Sequence, residues 1–419
     1  MSTAEQVLGS ISDRRSRVLG IFFLVLAVAI FWFFVFGTEG GLDSTFGLNA
    51  GDEAVELPDL VVPARGTAMF LGLVAAFLGG VQISRGFGKK TYLVLGAVVG
   101  CFIFAFLIWA ARDQSLNLLG MFKSSLLRSV PLTLGALCGL LCEKSGVINI
   151  AIEGTMLTAA FAGAIVGSAA GSIWVGLLLG VASGALLGAA LAVLSIRYQV
   201  NQIIAGTVLN IFALGITSYL SARIFSEYQN LNNPGRFTVV DIPVLSKIPL
   251  VGPLFFSNNI FVYLMFALII LIWIGLFRTR WGLRVRAVGE HPKAADTVGI
   301  NVLRIRYRNV ILGGMVAGLA GAYLTLGSVG RFDENMTAGT GFIALAAMIF
   351  GRYNPVGAFG AALLFGFADS LQTKLAILDV PIPSEFLLMA PYLATILVVA
   401  GVVGRTRVPA ADGQPYMKE

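Results

Sequence analysis

The stretch WGLRVRAVGEHPKAADTVGINV, residues 281–302, decides how this chain is laid out. It separates two long apolar segments. Arg278, Arg280, Arg284 and Arg286 crowd its start, and Arg304, Arg306 and Arg308 follow its end. Short loops rich in Lys and Arg stay on the cytoplasmic side of a membrane. The middle of the stretch reads as a short helix that carries the small residues Ala294 and Ala295 and is ended by Gly299. That form suits a connector pressed against a cytoplasmic partner.

Composition agrees with a membrane setting. The chain is 57% hydrophobic and 12% charged, with mean hydropathy +0.86. Several apolar runs reach the length at which a helix crosses the hydrocarbon core, and the alternation of a transmembrane barrel is absent. The 50 glycines among 419 residues suit helices whose backbones approach closely. The net charge of +7 is no nucleic-acid signal, because the basic residues sit at helix ends on one side. Cys138 and Cys142 are four apart on one helix face. No His or acid lies beside them in that run, so they read as small packing residues rather than a metal or redox pair.

The runs outward from the basic loop give an all-α polytopic protein with about twelve crossings, interrupted helices included, and both termini cytoplasmic. Residues 18–36 follow Arg14, Arg15 and Arg17. They are too long for a signal h-region and read as a first membrane helix. Helices at 66–83 and 91–110 follow, after an acidic loop. Residues 115–128 are amphipathic and are expected at the outer interface, followed by a short apolar piece at 130–142. Further crossings are expected at 155–170, 173–196, 202–220, 260–277, 310–326, 341–350 (half-length), 356–371 and 386–404. The expected organisation is an N-terminal extension of about three helices (1–114), a core (115–408) holding the basic loop 278–308, and a cytoplasmic tail (409–419).

Two places break the pattern of plain apolar helices. One is EKSGVINIAIEG, residues 143–154; the other is 327–341, followed by GRYNP at 351–355. Interrupted helices at membrane depth line a cavity or are buried in protein, and paired interruptions in two halves, here 130–220 and 310–404, mark a translocation path in transporters. The candidates for that path are Glu143, Asn149, Glu153, Asn210, Glu334, Asn335 and Asp369. Asn149 and Glu153 share a helix face; they line the route, or they serve as a cap and a buried hydrogen bond. Asp369, with Gln372, is solvated at the interface or touches substrate. Asn210 suits an interhelical hydrogen bond. His291, the sole histidine, is expected in solvent.

Catalytic motifs are missing. Residues 86–91, GFGKKT, have the wrong spacing for a P-loop, and there is no G-x-S-x-G elbow or H-E-x-x-H pair. No metal site or cofactor is expected in this chain, and it is expected not to be an enzyme. The power for pumping would come from ions or from a partner.

EKSGVINIAIEG with the following Thr155-Met156-Leu157 resembles the signature of permease subunits of bacterial ABC importers, in the superfamily for branched-chain amino acids, ribose and nucleosides. GLRVRAVGEHPKAADTVGINV (282–302) is similar to that family's ATPase-docking loop, and GFIALAAMIFGRYNPVGA (341–358) to a third family segment. The Glu-Lys-Ser-Gly form is most similar to the nucleoside and simple-sugar branch. The resemblance covers roughly 125–407 and leaves the first three helices unassigned. It implies a multi-pass protein of the bacterial cytoplasmic membrane that imports nucleosides, or alternatively simple sugars or branched-chain amino acids. It also implies partners: an ABC ATPase subunit that uses ATP and Mg, a second homologous permease, and an extracellular substrate-binding lipoprotein. Gly289, Glu290, His291, Lys293, Ala294, Ala295 and Gly299 would form the coupling loop. The rival from another class is an ion-coupled secondary transporter.

Overall fold

A computed structural model describes residues 3–49, 56–378, 380, 389 and 408–418. Nine of the described helices are long and apolar enough to cross a membrane. The expected last crossing, 386–404, lies outside the described residues. The chain divides into two compact units, residues 1–121 with 373–384, and residues 122–372 with 385–419.

The first unit is a bundle of α1 (Thr3–Ala29), α2 (Ala64–Ser84) and α3 (Thr91–Ala110). Small residues let α2 approach its neighbour: a Cβ on Gly72 or Gly79 would meet Phe31 or Leu24. Phe34, Phe102, Phe106 and Trp109 stack about one another inside the bundle. The described residues of the acidic loop after α1 include two strands. Strand β1 (Asp43–Gly47) pairs antiparallel with β2 (Leu60–Pro63) and parallel with β3 (Ser115–Asn117). The Ser44 hydroxyl donates to the Ile108 carbonyl and fastens this small sheet to α3.

The second unit begins within α4 (Leu118–Glu143). Here the sequence-based expectation fails. The amphipathic piece 115–128 and the short piece 130–142 are largely one helix of 26 residues that runs through Pro131. Ser125, Ser129 and Thr133 recur at helical spacing and are all buried. Their stripe faces another helix instead of an aqueous interface, with Gly366 pressed against the Ser125 carbonyl.

The middle of this unit is α5 (Ile152–Ala170), α6 (Ile173–Ala192), α7 (Gln202–Glu227), α8 (Ile260–Arg278) and α11 (Val302–Ala322). Gly180, Gly184 and Gly188 of α6 face Gly314 and Gly318 of α11. A Cβ at Gly184 would lie 2.4 Å from the Gly314 carbonyl oxygen. In lipid there is little hydrophobic drive between helices, so this close backbone approach supplies the packing. The exposed side of α7 carries Ile204, Val208, Ile211 and Phe212, an apolar face suited to lipid. Between α7 and α8, β4 (Val239–Asp241) pairs with β5 (Ser257–Asn259). The basic stretch folds as α9 (Arg280–Glu290) and α10 (Pro292–Thr297). The half-length helix is α12 (Thr340–Phe350), followed by α13 (Pro355–Ile377).

Candidate functional site

The interruption after α4 is held by side chains of α7 and α4. α4 ends in a tight turn in which Gly146 takes φ +83°, a conformation that favours glycine. Cys142 C=O accepts from both Ser145 N–H and Val147 N–H. The backbone then runs without helical bonds to Ala151, and side chains from elsewhere satisfy its polar groups. Gln202 Oε1 accepts from Ile148 N at 2.6 Å. Asn210 Nδ2 donates to the Ile150 carbonyl at 2.9 Å, while its Oδ1 accepts from Gly154 N at 2.8 Å. One α7 side chain therefore splices both ends of the break. Asn149 is buried, donates to the sulfurs of Cys138 and Cys142, and accepts from Ala151 N.

Glu153 lies in the first turn of α5 and reaches across to the start of α12. Its Oε1 accepts from Gly339 N at 2.8 Å and its Oε2 from Gly341 N at 2.5 Å. The first N–H groups of a helix have no partner within the helix and carry partial positive charge. The N-cap residue of α12, Gly339, has no side chain to supply an acceptor, so Glu153 caps α12 from outside. Glu153 thus caps α12, and Asn149 makes buried hydrogen bonds.

The other candidates scatter. Glu334 and Asn335 are exposed in the turn before α12, with Asn335 at φ +53°, and do not join the interruption. Asp369 pairs with Arg128 of α4. Glu143 is buried at the end of α4, and its carboxyl lies beside Tyr353 and Asp412. Burial pushes Asp412 up to about 6 against the pull of Arg306 and Lys144. Burial, with help from Arg286, lowers Lys144, and burial beside Glu143 raises Tyr353.

The basic stretch packs directly on this region. A Cβ at Gly289 would lie 2.4 Å from the Lys144 carbonyl oxygen, so the last turn of α9 rests on the interruption. Thr279 caps α9 and Asn301 caps α11. Gly299 closes α10 at φ +82°. Glu290, His291, Lys293 and Ala294 are exposed. Ala295 is not: at 3% exposure it faces inward, packed with Val288, Val302 and Tyr416. The expectation that Ala295 meets a partner is corrected accordingly, because residue 294 and not 295 falls on the outer face of this short helix. Sequence reasoning missed Gln202, Arg306, Tyr353 and Asp412. Arg306 stands among six other arginines around the stretch, and nothing in that run marks it as the one buried to 2% exposure.

The family model described as branched-chain amino acid transport system / permease component matches residues 121–402. The guanosine ABC transporter permease NupQ of Bacillus subtilis is 40% identical over 306 residues, covering 70% of this chain and 95% of NupQ. The nucleoside ABC transporter permease NupC of Lactococcus lactis is 39% identical, with the same coverage. A putative glucose ABC transporter permease of Haloferax volcanii, TsgC13, is 32% identical over 327 residues, covering 72% and 98%. No solved structure matches the chain significantly.

Proposed function

The chain belongs to the permease-component family of branched-chain amino acid transport systems, and from that premise we propose that it is the membrane permease subunit of an ATP-driven nucleoside importer. The observation that carries the substrate class is its similarity, at about 40% identity across nearly their whole length, to permeases named for guanosine and nucleosides. The site suits an uncharged solute. A half-helix N-terminus left open would attract an anion, but Glu153 already fills that of α12.

The coupling element is the loop from α9 to α10. An ABC ATPase subunit seats on its exposed face of Glu290, His291, Lys293 and Ala294, and the contact of Gly289 with Lys144 passes motion to the interruption. The arginines hold this loop at the anionic inner leaflet, each contributing about 1 kcal/mol near the surface. Both termini then lie in the cytoplasm of a bacterial cell. A second homologous permease completes the pore, two ATPase domains use ATP and Mg, and an extracellular lipoprotein delivers substrate. The first three helices are an addition of this chain to that plan. Import of a simple sugar is the second reading, favoured by the likeness to TsgC13.

The test is uptake into proteoliposomes that hold the permease pair, the ATPase and the binding protein. Labelled guanosine should accumulate only with ATP inside the ATPase compartment, and excess glucose should not compete. Glucose accumulation in place of guanosine would favour the sugar reading. Uptake driven by a proton or sodium gradient without ATP would reject the importer assignment.

A further inference from the structure

Residues 409–419 were expected only as a tail; the described residues of this end are 408–418. They fold back onto the second unit and touch both the coupling loop and the interruption. Ala411 N donates to the Gly289 carbonyl at 2.9 Å, and Ala410 N to Glu290 Oε2 at 3.2 Å. Two residues further on, Gly413 lies against Ile148, where a Cβ would come within 2.7 Å of that side chain. Asp412 meets Glu143, Arg306 Nη1 donates to the Gln414 carbonyl at 2.8 Å, and Tyr416 closes the apolar cluster over Ala295.

We infer that residues 409–416 form a strap that carries displacement of the coupling loop to the interruption at residues 144–151. The inference rests on the reading of 280–301 as the loop that meets the ATPase. Three features separate a strap from a passive tail. Its attachment to Gly289 is backbone to backbone, from Ala411 N to the Gly289 carbonyl, so a shift of Gly289 pulls directly on the strap's main chain. It lies against a buried charged group, Arg306, and burying a charge is costly for a mere anchor. Its polar groups are also incompletely paired. Arg306 Nε and Nη2 and Asp412 Oδ1 are buried without hydrogen-bond partners, though they carry complementary charge in one cluster. Burying such groups unpaired is unfavourable. A slide of the strap on the order of 1–2 Å, the size of helix shifts in switching proteins, would bring them together. The present arrangement is then one of two, and the second pairs Arg306 with Asp412.

The experiment compares the wild-type complex with one whose permease ends at Val408, in proteoliposomes with ATPase, second permease and binding protein present. The readouts are ATPase co-purification, basal ATP turnover, and solute imported per ATP hydrolysed. The strap predicts that the ATPase stays bound and hydrolyses ATP, while import per ATP falls about tenfold, within the usual span of coupling free energies. An unchanged ratio in the intact truncated complex would overturn the inference. So would a joint rise in hydrolysis and uptake, the mark of an inhibitory flap. If the truncated chain does not reach the membrane, the double variant Asp412→Ala, Tyr416→Ala is judged by the same ratio. An ATPase that fails to bind even the wild-type permease defeats the loop assignment, and the strap with it, and so is told apart from failure of the strap alone.

Discussion

Oε2 of Glu153 on α5 accepts the N–H of Gly341 on α12 at 2.5 Å. A charged side chain near an interrupted helix thus holds two elements together, with a second bond from Gly339 N to its other oxygen. An acid among apolar helices invites assignment as a substrate ligand. Here both carboxylate oxygens are engaged by backbone N–H groups at the start of α12.

Glu153→Ala should leave the N–H groups of Gly339 and Gly341 without acceptors, at a cost of about 1–3 kcal/mol for the buried Gly341 N–H. We expect the maximal uptake rate to fall at least about tenfold, with the half-saturating substrate concentration little changed, since the lost group fixes α12 and does not bind solute. Glu153→Gln keeps one acceptor and should be milder. Uptake kinetics on both variants decide it. A rise in half-saturation at an unaltered maximal rate would return Glu153 to the substrate.

Gly184→Ala should destabilise the second unit by about 1–3 kcal/mol, the usual cost of overpacking. Its new methyl would meet the backbone oxygen of Gly314, which cannot swing aside as a side chain can. Gly215→Ala on α7, where nothing lies within 4 Å, is the control and should be neutral or slightly stabilising. Thermal unfolding in detergent measures both, and equal midpoints would contradict the packing assigned to α6 and α11.

Docking of the strap should weaken as pH rises. The Asp412 carboxyl is raised in the folded protein from its ordinary 3.8 to about 6, so the docked segment binds more protons than the free one between those values. Its contribution is complete below about pH 4 and is lost as pH climbs to about 6, by at most about tenfold per pH unit. Exchange protection of the Ala411 amide, which donates to Gly289, reports docking once intrinsic exchange is corrected for. Asp412→Asn should remove the share of this loss that lies between about pH 4 and 6. Protection that grows with pH would carry the wrong sign.

Two neighbouring substitutions separate fold from assembly. Ala295→Trp places a large ring among Val288, Val302 and Tyr416 and should lower the unfolding temperature of the isolated permease. Ala294→Trp, on the exposed face, should leave that temperature alone and reduce ATPase co-purification several-fold, as a bulky group in a docking contact does. If Ala294→Trp binds the ATPase normally, the partner meets another surface.

The sequence by itself determined the class of this protein. Apolar runs of membrane length are local features, and they placed α2, α3, α6 and α8 to within a few residues. Three motifs in order carried the family. Glycine punctuation also marked real ends, as Gly299 does for α10. Tertiary structure decided whatever depends on which face of a helix meets which neighbour. The piece 115–128 with Ser125 reads as an interfacial surface until α13 covers it. Ala294 and Ala295 are equivalent as residue types, and only their packing tells the outer from the inner. Asn210 and Gln202 complete the interruption from α7 across more than fifty residues, and Asp412 reaches Glu143 across far more. Periodicity and spacing describe how a segment meets its own next turn. They hold no record of the distant backbone groups that a buried carboxylate, amide or guanidinium must find once water has been removed.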